Sequence, residues 1–480
     1  MSETKRFAFD VGITFIASSI NMLIAFLIIV VLGRYIGADD LGLYRMTSTI
    51  YGIAMLVATV GIPAAMIKYV AEYKSDRDKK NTIVSAGVIT SLFLGIGFGV
   101  FFYLASGIFA GLFNMPELSG LLKILSPVFP FAVVGGALLG FLNGLRKMKK
   151  HGMATIIQAG LMLVVSAVLI YLGYGVAGAV IGIVLSSAGS CLYLLLVTRE
   201  YFEITFHDYF PTTKKMLTFG SQILAGNAIN MVNYQADIVL IGYFLTATDV
   251  GYYAVAVGLS KFFWLIPSAI QMITYPATSE YWAKKDHGAL QKMIDKSMKY
   301  TACVLLPVGL GVGFFAGDII ILIFGEEFIH AVLPLRILIV GTVVFGVVKA
   351  IGGAVTGIGR PDIGLKIVGI SATINIVLNV LLIPVYGITG AAVATAVSLF
   401  VASFLGIYTT SRMLNLRIDL KWYARIALLT LLAISVFIYF KHANAYLLGM
   451  TLLCIYLLVI FTNFLTGEDR VYLISLIQRG

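Results

Sequence analysis

The sequence predicts an all-α, polytopic membrane protein of about fourteen transmembrane helices, arranged as two pseudo-symmetric six-helix lobes followed by two C-terminal helices. Three observations predict this class. Of the 480 residues, 60% are hydrophobic and only 12% are charged, whereas soluble domains carry about 25% charged residues. Apolar runs of membrane-spanning length recur along the whole chain, and positive charges cluster in every second loop.

Each predicted helix is an apolar run long enough to cross the bilayer. A hydrocarbon core of about 30 Å requires about 20 such residues. The runs lie near residues 9–33, 43–71, 82–105, 119–143, 153–172, 175–198, 216–245, 249–282, 298–324, 331–357, 363–384, 387–411, 422–440 and 444–466. The first run is too long for the apolar part of a cleaved signal peptide, so we expect it to remain in the protein.

The distribution of lysine and arginine predicts the orientation. With a cytoplasmic N-terminus, 26 of the 34 Lys and Arg residues fall on the cytoplasmic side and five on the opposite side. The positive-inside rule therefore predicts that both termini are cytoplasmic, and we expect the plasma membrane as the location. The same bias explains most of the net charge of +11, so nucleic acid is not an expected partner.

The chain also repeats itself, which predicts its domains. Matching blocks occur in the same order at nearly one offset: 32–44 with 241–253, 143–147 with 356–360, and 174–179 with 386–391. We interpret the shared Gly and Asp positions as helix packing and capping. An even number of helices per repeat makes the halves parallel. The predicted domains are an N-lobe at 1–200 (helices 1–6), a C-lobe at 201–412 (helices 7–12), and helices 13–14 with a cytoplasmic tail at 413–480.

Catalysis is not expected from this sequence. The five histidines lie in predicted loops or helix ends, and the three cysteines lie in apolar runs without paired spacing. No nucleophile–base set, phosphate-binding loop or metal-ligand spacing is present. We therefore predict a protein that is not an enzyme and that uses neither a cofactor nor a metal.

Ionisable residues inside the apolar runs are the first candidates for function. A charge at membrane depth costs about 2.5–3.5 kcal/mol on insertion scales, so such residues normally face a polar cavity or a partner. The candidates within the predicted helices are Lys68, Lys261, Lys349 and Asp237. For Lys68 and Lys349, nearer helix ends, snorkelling to the interface is the alternative. Asp237 is either an ion-pair partner or a site for a coupling ion, H⁺ or Na⁺.

The seventh predicted helix is the most polar of the set. Asn227, Asn230 and Tyr234 are spaced i, i+3, i+7 and share one face, with Asp237 three residues further; Gln235 adds another amide. Such a stripe either forms hydrogen bonds between helices or lines a hydrophilic cavity. We favour the lining, because the helix also carries a charge.

Several blocks resemble the polysaccharide-transporter, or oligosaccharide flippase, family (Wzx-like) of the multidrug/oligosaccharidyl-lipid/polysaccharide exporter superfamily. The resemblance is carried by Gly33–Gly37, Gly42–Tyr44, Gly61–Pro63, Tyr69–Glu72, Asp237, Gly251–Tyr253, Pro267 and Glu280. It implies two six-helix lobes around a central cavity. Lys261 falls within one position of a basic residue in helix 8 of the lipid II flippases. Their basic residue in helix 2 is absent here: Thr49 aligns near it, with Arg45 one turn away.

The resemblance implies a flippase that moves a prenyl-pyrophosphate-linked oligosaccharide across the plasma membrane by alternating access through a cationic cavity, for cell-surface glycan assembly. Candidate cavity residues are Lys261, Lys68, Lys349 and Arg45 with Asn227, Asn230, Tyr234 and Gln235. Alternatives are a cation-coupled multidrug exporter of the same fold, a lipid II flippase-like protein, and a scaffold for polysaccharide synthesis. Expected partners are the lipid-linked substrate, membrane lipids and polysaccharide-assembly proteins, with the chain itself a monomer.

Overall fold

A computed structural model describes the backbone of residues 3–440 and 444–464, and the side chains of 17–224, 226–229, 231, 235–440 and 444–464. Within these ranges the secondary structure is helical, without strands. The helices are α1 (Glu3–Thr59), α2 (Ile62–Glu72), α3 (Arg77–Leu112), α4 (Glu117–Leu125), α5 (Val128–Gly144), α6 (Met148–Leu169), α7 (Gly175–Thr198), α8 (Tyr209–Phe244), α9 (Ala247–Ser260), α10 (Leu265–Ala283), α11 (His287–Phe314), α12 (Ala316–Phe324), α13 (Val332–Lys349), α14 (Ala354–Gly357), α15 (Pro361–Leu414), α16 (Leu420–Phe440) and α17 (Ala445–Val459).

The predicted all-α membrane fold is confirmed. Among the described residues, nine helices are long and apolar enough to cross a membrane, or ten if the bent pair α4 and α5 is one span. The longest helical stretches are interrupted by a glycine with non-helical backbone angles. These glycines are Gly37 in α1, Gly173 between α6 and α7, and Gly387 in α15. A straight helix of 54 residues would be about 80 Å long, far more than one crossing. The number fourteen itself stays a prediction.

The internal repeat is visible in the backbone. Gly175 has φ 52° and ψ −139°, and its counterpart Gly387 has φ 57° and ψ −142°. A second matched pair, Arg146 and Gly359, also has positive φ, at 57° and 83°. Beyond one of these turns the arms pack so closely that a Cβ at Gly390 would lie 2.4 Å from the Leu382 carbonyl oxygen. The repeated glycines are therefore architectural, as predicted.

The chain divides into two compact units. The first comprises Met1–Gly258 with Ile376–Ala391, and the second comprises Leu259–Asn375 with Ala392–Gly480. The first unit has a buried core where α2, α3 and α5 meet, around Met66 and Phe141. The predicted lobes 1–200 and 201–412 and the segment 413–480 describe sequence symmetry rather than compactness, and they stay a prediction.

In the first unit, the connection between α7 and α8 is fastened to α3. Glu203 forms an ion pair with Arg77, and its backbone N–H donates to the Asn81 side chain at 3.2 Å. The backbone N–H of Thr205 donates to the Ser85 hydroxyl at 2.9 Å. These bonds fix where α8 begins, and with it the polar residues that α8 carries.

In the second unit, the C-terminal helices pack on α11. The rings of Phe314 and Phe437 stack with centroids 4.1 Å apart. The carboxylate of Asp419, just before α16, accepts hydrogen bonds from the backbone N–H of Trp422 and from Lys299, both at 3.1 Å. The N–H of Trp422, and after it the Lys299 ammonium, hold the pKa of Asp419 below its ordinary value.

Candidate functional site

Asp237 lies buried in α8, with a side chain held by two donors. Its residue surface is only 8% exposed. The Tyr253 hydroxyl donates to one carboxylate oxygen at 2.8 Å, and the Asn379 amide donates to the other at 2.6 Å. Hydrogen bonds to an ionised carboxylate stabilise the charge that low polarity would disfavour. Tyrosine, asparagine and carboxylate oxygens are also suitable ligands for a hard cation.

Arg45 lies on the face of α1 that packs against α8 and α9. Its neighbours on that face, one or two turns apart, are Gly42, Thr49 and Gly52. The Thr49 hydroxyl contacts the Gln235 side-chain oxygen at 3.4 Å. A Cβ at Gly42 would lie 1.7 Å from the Ala247 carbonyl oxygen. Arg45 is half-buried on this seam, and among the described residues no carboxylate lies within 4.0 Å of it.

This seam is formed by the two matching repeat blocks. Gly42 meets the backbone of Ala247, and Gly251 meets the backbone of Ala38, where an added Cβ would lie 2.0 Å from the carbonyl oxygen. Each glycine therefore contacts the alanine of the other repeat, at the equivalent position. The contact explains why both repeats keep glycine there: a larger side chain would separate the backbones.

The polar stripe of α8 is only partly described. Asn227 is exposed, and Gln235 lies on the seam with Thr49. The side chains of Asn230 and Tyr234 lie outside the described residues. The proposed lining role of this stripe therefore stays a prediction.

Lys68 lies near the end of α2, exposed and against aromatic rings. Its Nζ lies 4.2 Å from the ring centre of Phe219 in α8 and 5.1 Å from that of Tyr69. The rings partly replace water around the ammonium group through cation–π attraction. This location agrees with snorkelling of the aliphatic stem, but the head lies against α8 rather than in open solvent.

Lys261 and Lys349 are brought to one place in the second unit. Residues Lys261–Trp264 form a 3₁₀ turn between α9 and α10, and side chains three apart on such a helix are eclipsed. The Nζ of Lys349, the last residue of α13, lies 4.7 Å from the Trp264 ring centre. Lys349 therefore lies against the indole of the turn that Lys261 begins, and both lysines are half-buried.

The turn that carries Lys349 is held by neighbouring helices. The Thr274 hydroxyl of α10 donates to the carbonyl oxygen of Ala350 at 2.8 Å, just beyond the end of α13. Gly346 allows the helix to approach Pro267, where an added Cβ would lie 3.2 Å away. The backbone that carries Lys349 is thus held by buried contacts.

Some residues of these groups were not singled out from the sequence. Tyr253 belongs to a repeat block, so its presence in the block was a signal. The sequence contains no such signal for Asn379 or Trp264, because an amide or indole in an apolar run carries no information about a partner far away in sequence. The structure thus places the predicted residues in three groups: Asp237 and Arg45 with the α8 seam, Lys68 with its rings, and Lys261 with Lys349.

Comparison with known proteins gives a consistent picture. A family model described as polysaccharide biosynthesis protein matches residues 31–333. A probable low-salt glycan biosynthesis flippase of Haloferax volcanii is 23% identical over 411 residues, 84% of this chain and 83% of that protein. The structure of a lipid II flippase, MurJ, in an inward closed conformation aligns with a TM-score of 0.76 at 17% identity, over 94% of this chain and 98% of that one. The structure of an inward-facing multidrug resistance MATE family transporter aligns with a TM-score of 0.71 at 17% identity, over 82% of this chain and 94% of that one.

Proposed function

Because the chain belongs to the polysaccharide biosynthesis protein family, we propose that it is a flippase, which moves a lipid-linked oligosaccharide across the membrane by alternating access. Relatives named as glycan biosynthesis flippase, O-antigen transporter and lipid II flippase support this proposal. So does the helical fold, which is similar to that of flippases and exporters. Because these relatives are named for transport, we infer that the chain's work is translocation rather than bond chemistry.

The observation that carries the proposal is the position of Lys349 against Trp264, which ends the turn that Lys261 begins. A prenyl-linked diphosphate is an anion that must leave water to cross the membrane. Two ammonium groups within membrane-spanning helices offset that loss of hydration with charge-assisted hydrogen bonds. The indole face offers a surface on which a sugar ring or a prenyl unit packs.

Asp237 is the proposed site of a coupling cation, H⁺ or Na⁺. Its carboxylate contacts a tyrosine hydroxyl and an asparagine amide, and the group is buried in α8. A cation bound there neutralises a charge that is unfavourable at this depth. The same cation would connect α8 with Tyr253 in α9 and with Asn379 in the part of α15 that belongs to the same unit.

The proposed setting is the plasma membrane with cytoplasmic termini, as the loop charges indicate, and the prenyl carrier and polysaccharide-assembly proteins are the proposed partners. A multidrug exporter of cationic compounds would need acidic residues where this chain has Lys68, Lys261 and Lys349. A scaffold without transport activity would need none of these embedded charges. Both alternatives therefore predict that the chain does not move an anionic lipid-linked oligosaccharide in a transport assay.

The experiment is reconstitution of the full chain into phospholipid vesicles that contain a fluorescent prenyl-diphosphate oligosaccharide. A membrane-impermeant quencher measures how fast the label changes leaflet. We expect faster exchange than in protein-free vesicles. Exchange no faster than in those vesicles, with correctly inserted protein, would contradict the proposal and favour the scaffold.

A further inference from the structure

Lysines and aromatic rings alternate where the end of α2 meets the start of α8. Lys68 Nζ lies 4.2 Å from the Phe219 ring centre and 5.1 Å from that of Tyr69. Lys215 Nζ lies 4.5 Å from the centre of the same Tyr69 ring and 5.5 Å from that of Tyr73. The distance between the two ammonium groups is therefore no greater than the sum of their distances to the Tyr69 ring centre.

The backbones of the two helices fix this arrangement. Gly61, with φ 66°, and Gly220 touch so closely that a Cβ on Gly61 would lie 2.2 Å from the Gly220 carbonyl oxygen. A Cβ on Gly220 would lie 2.1 Å from the carbonyl oxygen of Val60. This contact sets the register of α2 against α8, which places Lys68 and Lys215 on the same seam.

Both ammonium groups lack a carboxylate partner among the described residues. The ion pairs found in the described part of the first unit are made by other basic side chains, such as Arg77, Lys79 and Lys150. Glu72, one turn beyond Lys68, lies outside ion-pair distance of it. An ammonium against a ring face uses one side for the ring and keeps N–H donors on the other. The rings thus lie beside two cations that have no carboxylate within ion-pair distance among the described residues.

We propose that Lys68 and Lys215 form a binding site for the phosphate groups of a lipid headgroup at the predicted cytoplasmic end of α2 and α8. Two ammonium donors held near one ring match a diphosphate, whose two phosphates each accept a short charge-assisted hydrogen bond. The aromatic rings suit the boundary between headgroups and hydrocarbon. The site deepens the proposed function, on which it rests in one respect: the diphosphate would be that of the lipid to be moved.

Binding to the full chain in nanodiscs of neutral phosphatidylcholine tests the site. The probes are geranylgeranyl diphosphate, geranylgeraniol without phosphate, and phosphatidylglycerol. We expect Lys68→Gln with Lys215→Gln to weaken diphosphate binding about tenfold or more, since a charge-assisted bond contributes that much. Lys214→Gln is the matched control, because it removes a neighbouring cation that contacts no ring. Lys68→Arg keeps the charge and should bind like the wild type.

The outcomes separate the sources of the phosphate. Loss of diphosphate binding alone supports a site for the transported lipid, and a parallel loss of phosphatidylglycerol binding supports a site for membrane phospholipid. Unchanged binding of both probes in the double variant, or an equal loss in Lys214→Gln, would overturn the site. If the double variant misfolds, Phe219→Leu weakens binding with both lysines present. Failure of the wild type to translocate, with lysine-dependent binding intact, would contradict the proposed function and leave the site standing.

Discussion

The Thr248 hydroxyl donates a hydrogen bond to the carboxylate of Asp39 at 2.9 Å, and these two residues occupy the same position in the two sequence repeats. Beside them, Gly42 contacts Ala247 and Gly251 contacts Ala38, in reciprocal fashion. The repeat blocks therefore meet each other in the folded chain. The glycines that mark the repeat in the sequence are the residues that allow this crossing.

Substitution of Gly42 by alanine is expected to push the two contacting repeat blocks apart. The added Cβ would lie 1.7 Å from the Ala247 carbonyl oxygen, so one backbone must move. Overpacking of this kind costs about 1–3 kcal/mol. In a cysteine-free background, a cysteine at the buried position Ala38 should then react with an impermeant maleimide faster than with Gly42 present. Gly97→Ala is the control, because nothing lies within 4 Å of its Cβ; equal labelling in both backgrounds would contradict the crossing.

Replacement of Asp237 by asparagine is expected to uncouple transport from a cation gradient. The amide keeps the volume and removes the charge, so the fold should persist while exchange of the labelled lipid stops responding to a pH or Na⁺ gradient. Tyr253→Phe removes one donor at 2.8 Å and keeps the carboxylate, so it should retain gradient dependence at about 1 kcal/mol lower stability. Gradient-driven exchange in Asp237→Asn equal to the wild type would rule out the coupling role.

Asp419 is expected to make the C-terminal helices sensitive to acid. Its pKa in the folded chain lies below the ordinary value, because the Trp422 N–H and the Lys299 ammonium stabilise the charged form. A depressed pKa contributes stability above the unfolded pKa of about 3.9, and that stability is lost as pH falls through the folded value. Asp419→Ala should therefore lower the melting temperature at neutral pH and differ less from the wild type in acid. Lys421→Ala should show no such pH dependence; a constant difference at both pH values would contradict the account.

The positions of the helix breaks were predictable, because they depend on local chemistry. The sequence divides the long apolar stretches at 172–175 and 384–387, and the backbone breaks there at Gly173 and Gly387. The sequence predicts one apolar run over 43–71, whereas the backbone breaks between Thr59 and Ile62, next to Pro63. Val60 and Gly61 take positive φ there, and the close contact with Gly220 accounts for it.

The sequence singles out several residues of the candidate groups but not their partners, and their role stays a prediction. Membrane depth singles out Asp237, Lys68 and Lys349 from hydropathy alone, because a charge in a bilayer is costly. Their contacts with Asn379, Phe219 and Trp264 depend on packing between helices far apart in sequence. Periodicity identifies the face of a helix and leaves unknown which neighbour covers it.

The rate at which Lys261→Gln with Lys349→Gln moves a labelled prenyl-diphosphate oligosaccharide between leaflets tests the central claim most directly. Lys292→Gln, an exposed lysine of the same unit, is the matched control. Loss of two charge-assisted contacts should slow exchange at least about tenfold while insertion and melting temperature stay close to those of the wild type. Wild-type exchange in the double variant would contradict the role of this cation pair in moving an anionic lipid.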